Sequence, residues 1–145
     1  MGNENHCVAV RASTSENINS GFIWGVGFSD IRHKDIICLR NPSNNHKIWV
    51  EYLSGDDNFY HSYNERKKTI KIDPNEKTLI LSEYYRKKLG LEKGDDIPVD
   101  ITICNIIPDI LKSPLAAVYH PDPTVRLAIF LGFVSIGMGL ISLFS

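Results

Sequence analysis

Apolar and polar residues alternate in short runs over most of the chain, and the pattern changes character near its end. Runs rich in β-branched and aromatic residues cover His6 to Arg11, Gly21 to Phe28, Asp35 to Arg40, Lys47 to Leu53, Lys68 to Ile72, Lys77 to Ser82 and Ile97 to Cys104. Each is the length and composition of a strand. The breaks between them, Asn41-Pro42-Ser43-Asn44-Asn45, Ser54-Gly55-Asp56-Asp57 and Asp73-Pro74-Asn75, hold residues that hydrogen-bond their own turn or preset φ. Ahead of the tail one short helix is predicted, Glu83 to Leu89, with Ser82 as its N-cap and Gly90 as its stop.

The tail reads differently. Asp122 followed by Pro123 is an N-cap with proline in the first helical turn. From Leu127 to Ser145 the run LAIFLGFVSIGMGLISLFS carries no charge, and a helix of about 20 residues matches the hydrocarbon thickness of a bilayer. A helix apolar on every side would need a larger soluble protein around it to serve as a core helix. The chain therefore divides into a soluble β-rich domain (1–105), an apolar juxtamembrane linker (106–121) interrupted by Pro108 and Pro114, and a single C-terminal transmembrane helix (122–145). Lys112 and Arg126 flank the span on its N-terminal side, so the positive-inside tendency predicts a single-pass, tail-anchored protein with a cytoplasmic soluble domain. The first residues, MGNENHCVAVRAS, lack the layout of a signal peptide.

Within the tail, Ala128, Gly132, Ser135, Gly139 and Ser142 recur at steps of four and three. They share one helix face, the kind of small-residue stripe along which membrane helices approach closely. The stripe predicts a homo-oligomer or pairing with a partner membrane helix.

Composition narrows the chemistry. The 145 residues carry 16 Lys+Arg against 17 Asp+Glu, so no overall field favours nucleic acid and genomic DNA is a poor partner. Cys7, Cys38 and Cys104 are odd in number and form no CxxC pair, which argues against a zinc ribbon or a disulfide framework. His6, His33, His46, His61 and His120 are dispersed. They suggest no metal site or catalytic residue, and no nucleophile motif or cofactor fingerprint accompanies them. Glu92, Asp95, Asp96 and Asp100 lack the spacing of a calcium loop and fit turn chemistry. Phe22, Trp24, Trp49 and Phe59 are expected in the core or at a barrel end, and Gly25 and Gly27 to mark a bulge or a close backbone approach.

Three basic clusters remain as candidate anion or ligand sites: Arg32, His33 and Lys34; Arg66, Lys67 and Lys68 with Lys71; and Arg86, Lys87 and Lys88. Two of them brought together would offer forked and point-charge donors to a nucleotide, with Tyr60, Tyr63, Tyr84 or Tyr85 for stacking. Separately they are solvated surface, or they face anionic membrane lipid beside the anchor.

The segment KTLILSEYYRKKLGLEKGDDIPVDI, Lys77 to Ile101, resembles the strand, short helix and "LGL-x-x-GD" turn of swapped-hairpin and double-psi β-barrels. The resemblance implies that Leu89 and Leu91 plug a barrel end, that Gly94 makes the turn and that Asp95 caps it. The fold class expected is thus mainly β, a small β-barrel-like domain with one short helix, then the transmembrane helix. Members of these families include DNA-binding regulators, substrate-recruiting domains of unfolding ATPases and a few enzymes, so the fold alone does not assign a function.

Together these features point away from an enzyme. They suggest a membrane-anchored sensor or effector whose cytosolic domain binds a nucleotide signal or a cytosolic protein, one form being a bacterial antiviral-defence effector. A static membrane adaptor is the alternative. A membrane-bound hydrolase would need an acid/base constellation that the sequence does not display.

Overall fold

The computed structural model describes residues 4–14, 17–66, 70–91, 98–104 and 108–144. Its strands are β1 (Glu4–Ala12), β2 (Phe22–Val26), β3 (Ile36–Arg40), β4 (Lys47–Ser54), β5 (Thr78–Leu81) and β6 (Pro98–Cys104), and its helices α1 (Asp57–Asn64), α2 (Glu83–Lys88), α3 (Asp109–Val118) and α4 (Pro123–Leu143). The strands pair in the order β1-β5-β2-β4-β3-β6, and β6 returns to pair with β1, so the sheet closes on itself. Two ladders are parallel, β1 with β5 and β2 with β4; the others are antiparallel. Adding three to each strand number maps this set of ladders onto itself. The β1–β5 ladder becomes β4–β2, β1–β6 becomes β4–β3, and β2–β5 and β3–β6 map to themselves.

Side-chain alternation fills the interior. Leu79 and Leu81 of β5 join Ile23, Ile37, Leu39, Ile48, Val50 and Tyr52 in the central core. Each such fully buried aliphatic side chain contributes about 1.5–3 kcal/mol. Gly25 leaves room for Tyr52, since a Cβ there would sit 2.2 Å from its ring. Gly27, at φ +82°, approaches the Glu76 carbonyl closely enough that a Cβ would lie 2.9 Å from it. The close backbone approach anticipated at these glycines is present at Gly27, while at Gly25 the neighbour is a side chain.

The intervening residues, Ile80 and Val26, point outward and are still buried, because a second small core forms there with Tyr63 and Ile72. Helix α1 supplies the cover, and it corrects the expectation of a single short helix. Its sequence, DNFYHSYN, is poor in strong helix formers. It forms because Asp56 Oδ1 accepts from the Phe59 N–H at 2.8 Å and because Phe59 and Tyr63, four residues apart, both join the packing over β2 and β5. Asn64 then holds the returning chain, donating to the Ile72 carbonyl at 2.9 Å and accepting from its N–H at 2.7 Å. Those bonds are to a side chain, and residues 70–72 form no strand. Lys68 lies outside the described residues.

Helix α2 closes one end of the barrel, and its end is a Schellman turn: Leu91 N–H bonds the Arg86 carbonyl at 2.9 Å and Gly90 N–H the Lys87 carbonyl at 3.1 Å. Gly90 takes the left-handed φ of +69° that this turn needs. Leu89 is fully buried and Leu91, partly buried, packs against the same core. Gly94 and Asp95 lie outside the described residues, as do Glu92 and Asp96.

The linker also needs correction. Helix α3 occupies Asp109–Val118 with Pro114 inside it, and it lies against β3 and β4. That packing outweighs the hydrogen bond the proline removes. Tyr119 reaches the central core, and His120 covers Gly21, where a Cβ would meet its ring at 2.3 Å. Helix α4 starts at an Asp122 N-cap, Oδ1 accepting from the Thr124 N–H at 2.8 Å. It has no buried residue and is long and apolar enough to cross a membrane.

Burial raises the Tyr52 phenol to about 12 while its hydroxyl reaches the Gly25 carbonyl at 3.3 Å. A group held protonated in the fold stabilises it fully below its unfolded value, near 10, and loses that contribution as pH rises through 12. Denaturant midpoints of detergent-solubilised protein should fall between pH 10 and 12, and the fall should be shallower in Tyr52→Phe.

Candidate ligand-binding cleft

Where α1 meets the outer face of β2 and β5, a cleft of about 190 Å³ opens between the helix and the β1–β2 loop. Trp24 and Ile80 come from the strands, Phe59, Ser62, Tyr63 and Arg66 from α1 and its end. Thr14 and Asn17 close it from the loop. Trp24 stacks on Phe59 with ring centroids 4.2 Å apart and planes at 19°, and Phe22 meets Trp24 edge-on at 6.0 Å. The Tyr63 hydroxyl donates to the Ala12 carbonyl at 2.7 Å, fixing α1 to the end of β1. The Trp24 indole Nε1 is buried and has no hydrogen-bond partner among the described residues. An unsatisfied buried donor costs about 1–3 kcal/mol, so an acceptor that reached this one would bind with that advantage. The cleft offers aromatic faces, hydroxyls, an amide and a guanidinium, a donor set suited to a small polar or anionic molecule or a peptide side chain.

The basic clusters do not gather around it as a set. Arg32, His33 and Lys34 form the loop before β3, at the barrel end opposite α2, about 17 Å away along β3. There Arg32 Nε pairs with Asp35 at 3.4 Å, an exposed contact of little energetic weight. His33 Nδ1 accepts from the Ser54 N–H at 3.2 Å, and Lys34 takes φ 70°. Arg66 lines the cleft, Lys71 is exposed, and Lys67 and Lys68 lie outside the described residues.

On α2, Lys87 pairs with Glu83 at 2.7 Å, and Arg86 is half-buried. The hydrogen bond from Lys87, with the charge of that same group, holds the Glu83 carboxyl below its ordinary range. Of the tyrosines considered for stacking, Tyr63 is in the cleft. Tyr60 lies against His61, Tyr84 lies under two cations, and Tyr85 is in the core with its phenol pushed up by burial.

Of the aromatics expected in the core or at a barrel end, Trp49 is buried, while Trp24 and Phe59 are partly buried against the small outer core and also line the cleft. Thr14, Asn17 and Ser62 carried no signal in sequence. The usable clue was the Phe59–Tyr63 spacing just after an Asp N-cap, which marks α1 and hence the cleft. Among the described residues, no group of three or more His, Cys, Asp or Glu is placed to hold a metal ion.

The fold and cleft define a class: a closed six-stranded β-domain with an outer helix bordering a cleft, joined to an exposed apolar helix. Comparison with protein-family models, curated proteins and solved structures gives no match to this chain.

Removing the Phe59 ring should both widen the cleft and loosen α1. Phe59→Ala is expected to shift Trp24 emission to longer wavelength and to destabilise the fold by at least the ~0.5–1.5 kcal/mol of an aromatic pair, read by fluorescence and urea unfolding.

Proposed function

We propose that this chain is a membrane-tethered recognition protein without a catalytic centre. Its cytosolic barrel takes a signal molecule or a segment of a partner protein into the α1 cleft, and α4 holds it in the bilayer and brings copies together. The observation that carries this reading is α4 itself. It has 21 residues, none of them buried, and about 30 Å of apolar helix left in water has a strong drive toward lipid.

The self-symmetric ladder set, together with the α2 plug, supports placing the barrel with the double-psi type. In the helix, Ala128, Gly132, Ser135, Gly139 and Ser142 fall within an arc of about 80° at 100° per residue. A Cβ at Gly132 or Gly139 would meet nothing within 4 Å. Ser135 Oγ bonds the Leu131 carbonyl at 2.9 Å, so its hydroxyl is satisfied within its own helix and does not hinder a close-packed neighbour. Arg126 at the root supports a cytosolic barrel.

The full chain should sediment with membranes and be released by detergent but not by high pH, whereas a version ending at His120 should stay in the supernatant. A full-length protein that is soluble and monomeric without detergent would overturn the reading. In vesicles, Gly132→Leu combined with Gly139→Leu should lower crosslinked dimer several-fold while leaving membrane association intact.

A further inference from the structure

Two cations converge on one ring where the barrel meets α4. Lys88 Nζ lies 5.8 Å from the Tyr84 ring centroid and the Arg126 guanidinium carbon 5.5 Å from it. Arg126 Nη1 donates to the Tyr84 hydroxyl at 2.7 Å and to the His120 carbonyl at 3.0 Å, with the Pro121 carbonyl at 3.5 Å. Its Nε and Nη2 make no hydrogen bond among the described residues, so half the fork is uncommitted.

Lys88 has no acidic partner among the described residues either, since Glu83 is taken by Lys87. The acid nearest in sequence to Arg126 is Asp122, whose carboxylate caps the Thr124 N–H and feels the Arg126 charge without a hydrogen bond to its guanidinium. The ring face attracts each cation, and the donors that the ring and the carbonyls do not use are left to face an anion. The place is also informative. Arg126 immediately precedes the uncharged run Leu127 to Phe144, about 27 Å long as a helix, so it stands at the headgroup level of a bilayer that α4 spans.

We propose that Lys88 and Arg126, gathered at Tyr84, bind the phosphate of an anionic phospholipid at the root of α4. The proposal rests on the membrane reading of α4. Tyr84 positions both cations, and its ring sits at the depth where aromatic residues anchor at a membrane interface. The lipid ties the barrel's closing helix to the bilayer, so barrel orientation depends on membrane charge.

The test uses the full chain in detergent, with phosphatidylglycerol or phosphatidylcholine added and retained lipids counted by native mass spectrometry. Retention of phosphatidylglycerol should exceed that of phosphatidylcholine, and Lys88→Gln should reduce it about fivefold, the weight of one cation near an anionic surface. Lys34→Gln, at the opposite barrel end, should leave it unchanged. Arg126→Lys, which keeps charge but loses the fork, should weaken retention while preserving membrane association.

Equal retention of the two lipids, or equal effects of Lys88→Gln and Lys34→Gln, would overturn the proposal. So would inorganic phosphate displacing the lipid at comparable concentration, because the site would then recognise free phosphate. Failure of the membrane reading is separately visible as full-length protein in the soluble fraction without detergent.

Discussion

The carbonyl of Leu89 is the point on which the barrel's closed end depends. It accepts from two side-chain amides of the β3–β4 turn, Asn41 Nδ2 and Asn44 Nδ2, each at 3.0 Å. Asn41 is buried, and its oxygen is used as well, accepting from the Ser43 N–H at 3.0 Å. A hairpin turn and a helix distant in sequence are thereby joined through groups that would be costly to leave unpaired. The Leu89 side chain fills the interior behind that bond. Loss of the amides would uncover the core and release α2 together.

The same helix has a second neighbour, because Tyr84, one residue before the buried Tyr85, meets Arg126 of α4. One face of α2 therefore belongs to the core and the other to the junction with the apolar helix. Helix α3 reinforces this coupling by lying against β3 and β4 and ending at Tyr119, which packs against the core. The apolar helix is thus joined to the barrel at two places.

The strands were legible because their inner faces alternate or run apolar between turn residues; β1 to β6 each coincide with a run read from the chain. The tail helix was legible from its lack of charge, and its Asp122 cap is in place. Helix α1 was hidden because Asp, Asn, Ser, His and Tyr have weak helical preference, and tertiary packing of Phe59 and Tyr63 made the choice instead. Helix α3 was hidden by Pro114, which reads as a breaker until β3 and β4 supply the missing support. The cleft was the least legible part. Its residues come from β2, β5, α1 and the loop after β1, and only the pairing of β2 with β5 brings them together.

The interleaving of the two sets of three strands has a consequence for how the chain folds. Neither set makes a complete sheet, because β1 finds its neighbours in β5 and β6, with Glu4 opposite Ile103 at nearly the full length of the domain. Contacts so distant along the chain require large loops to close before they repay the lost entropy. The β3–β4 hairpin, with its local Asn-rich turn, is the natural early structure. The barrel seals only when β6 joins β1 to β3, and until that pairing both strands keep an unpaired edge.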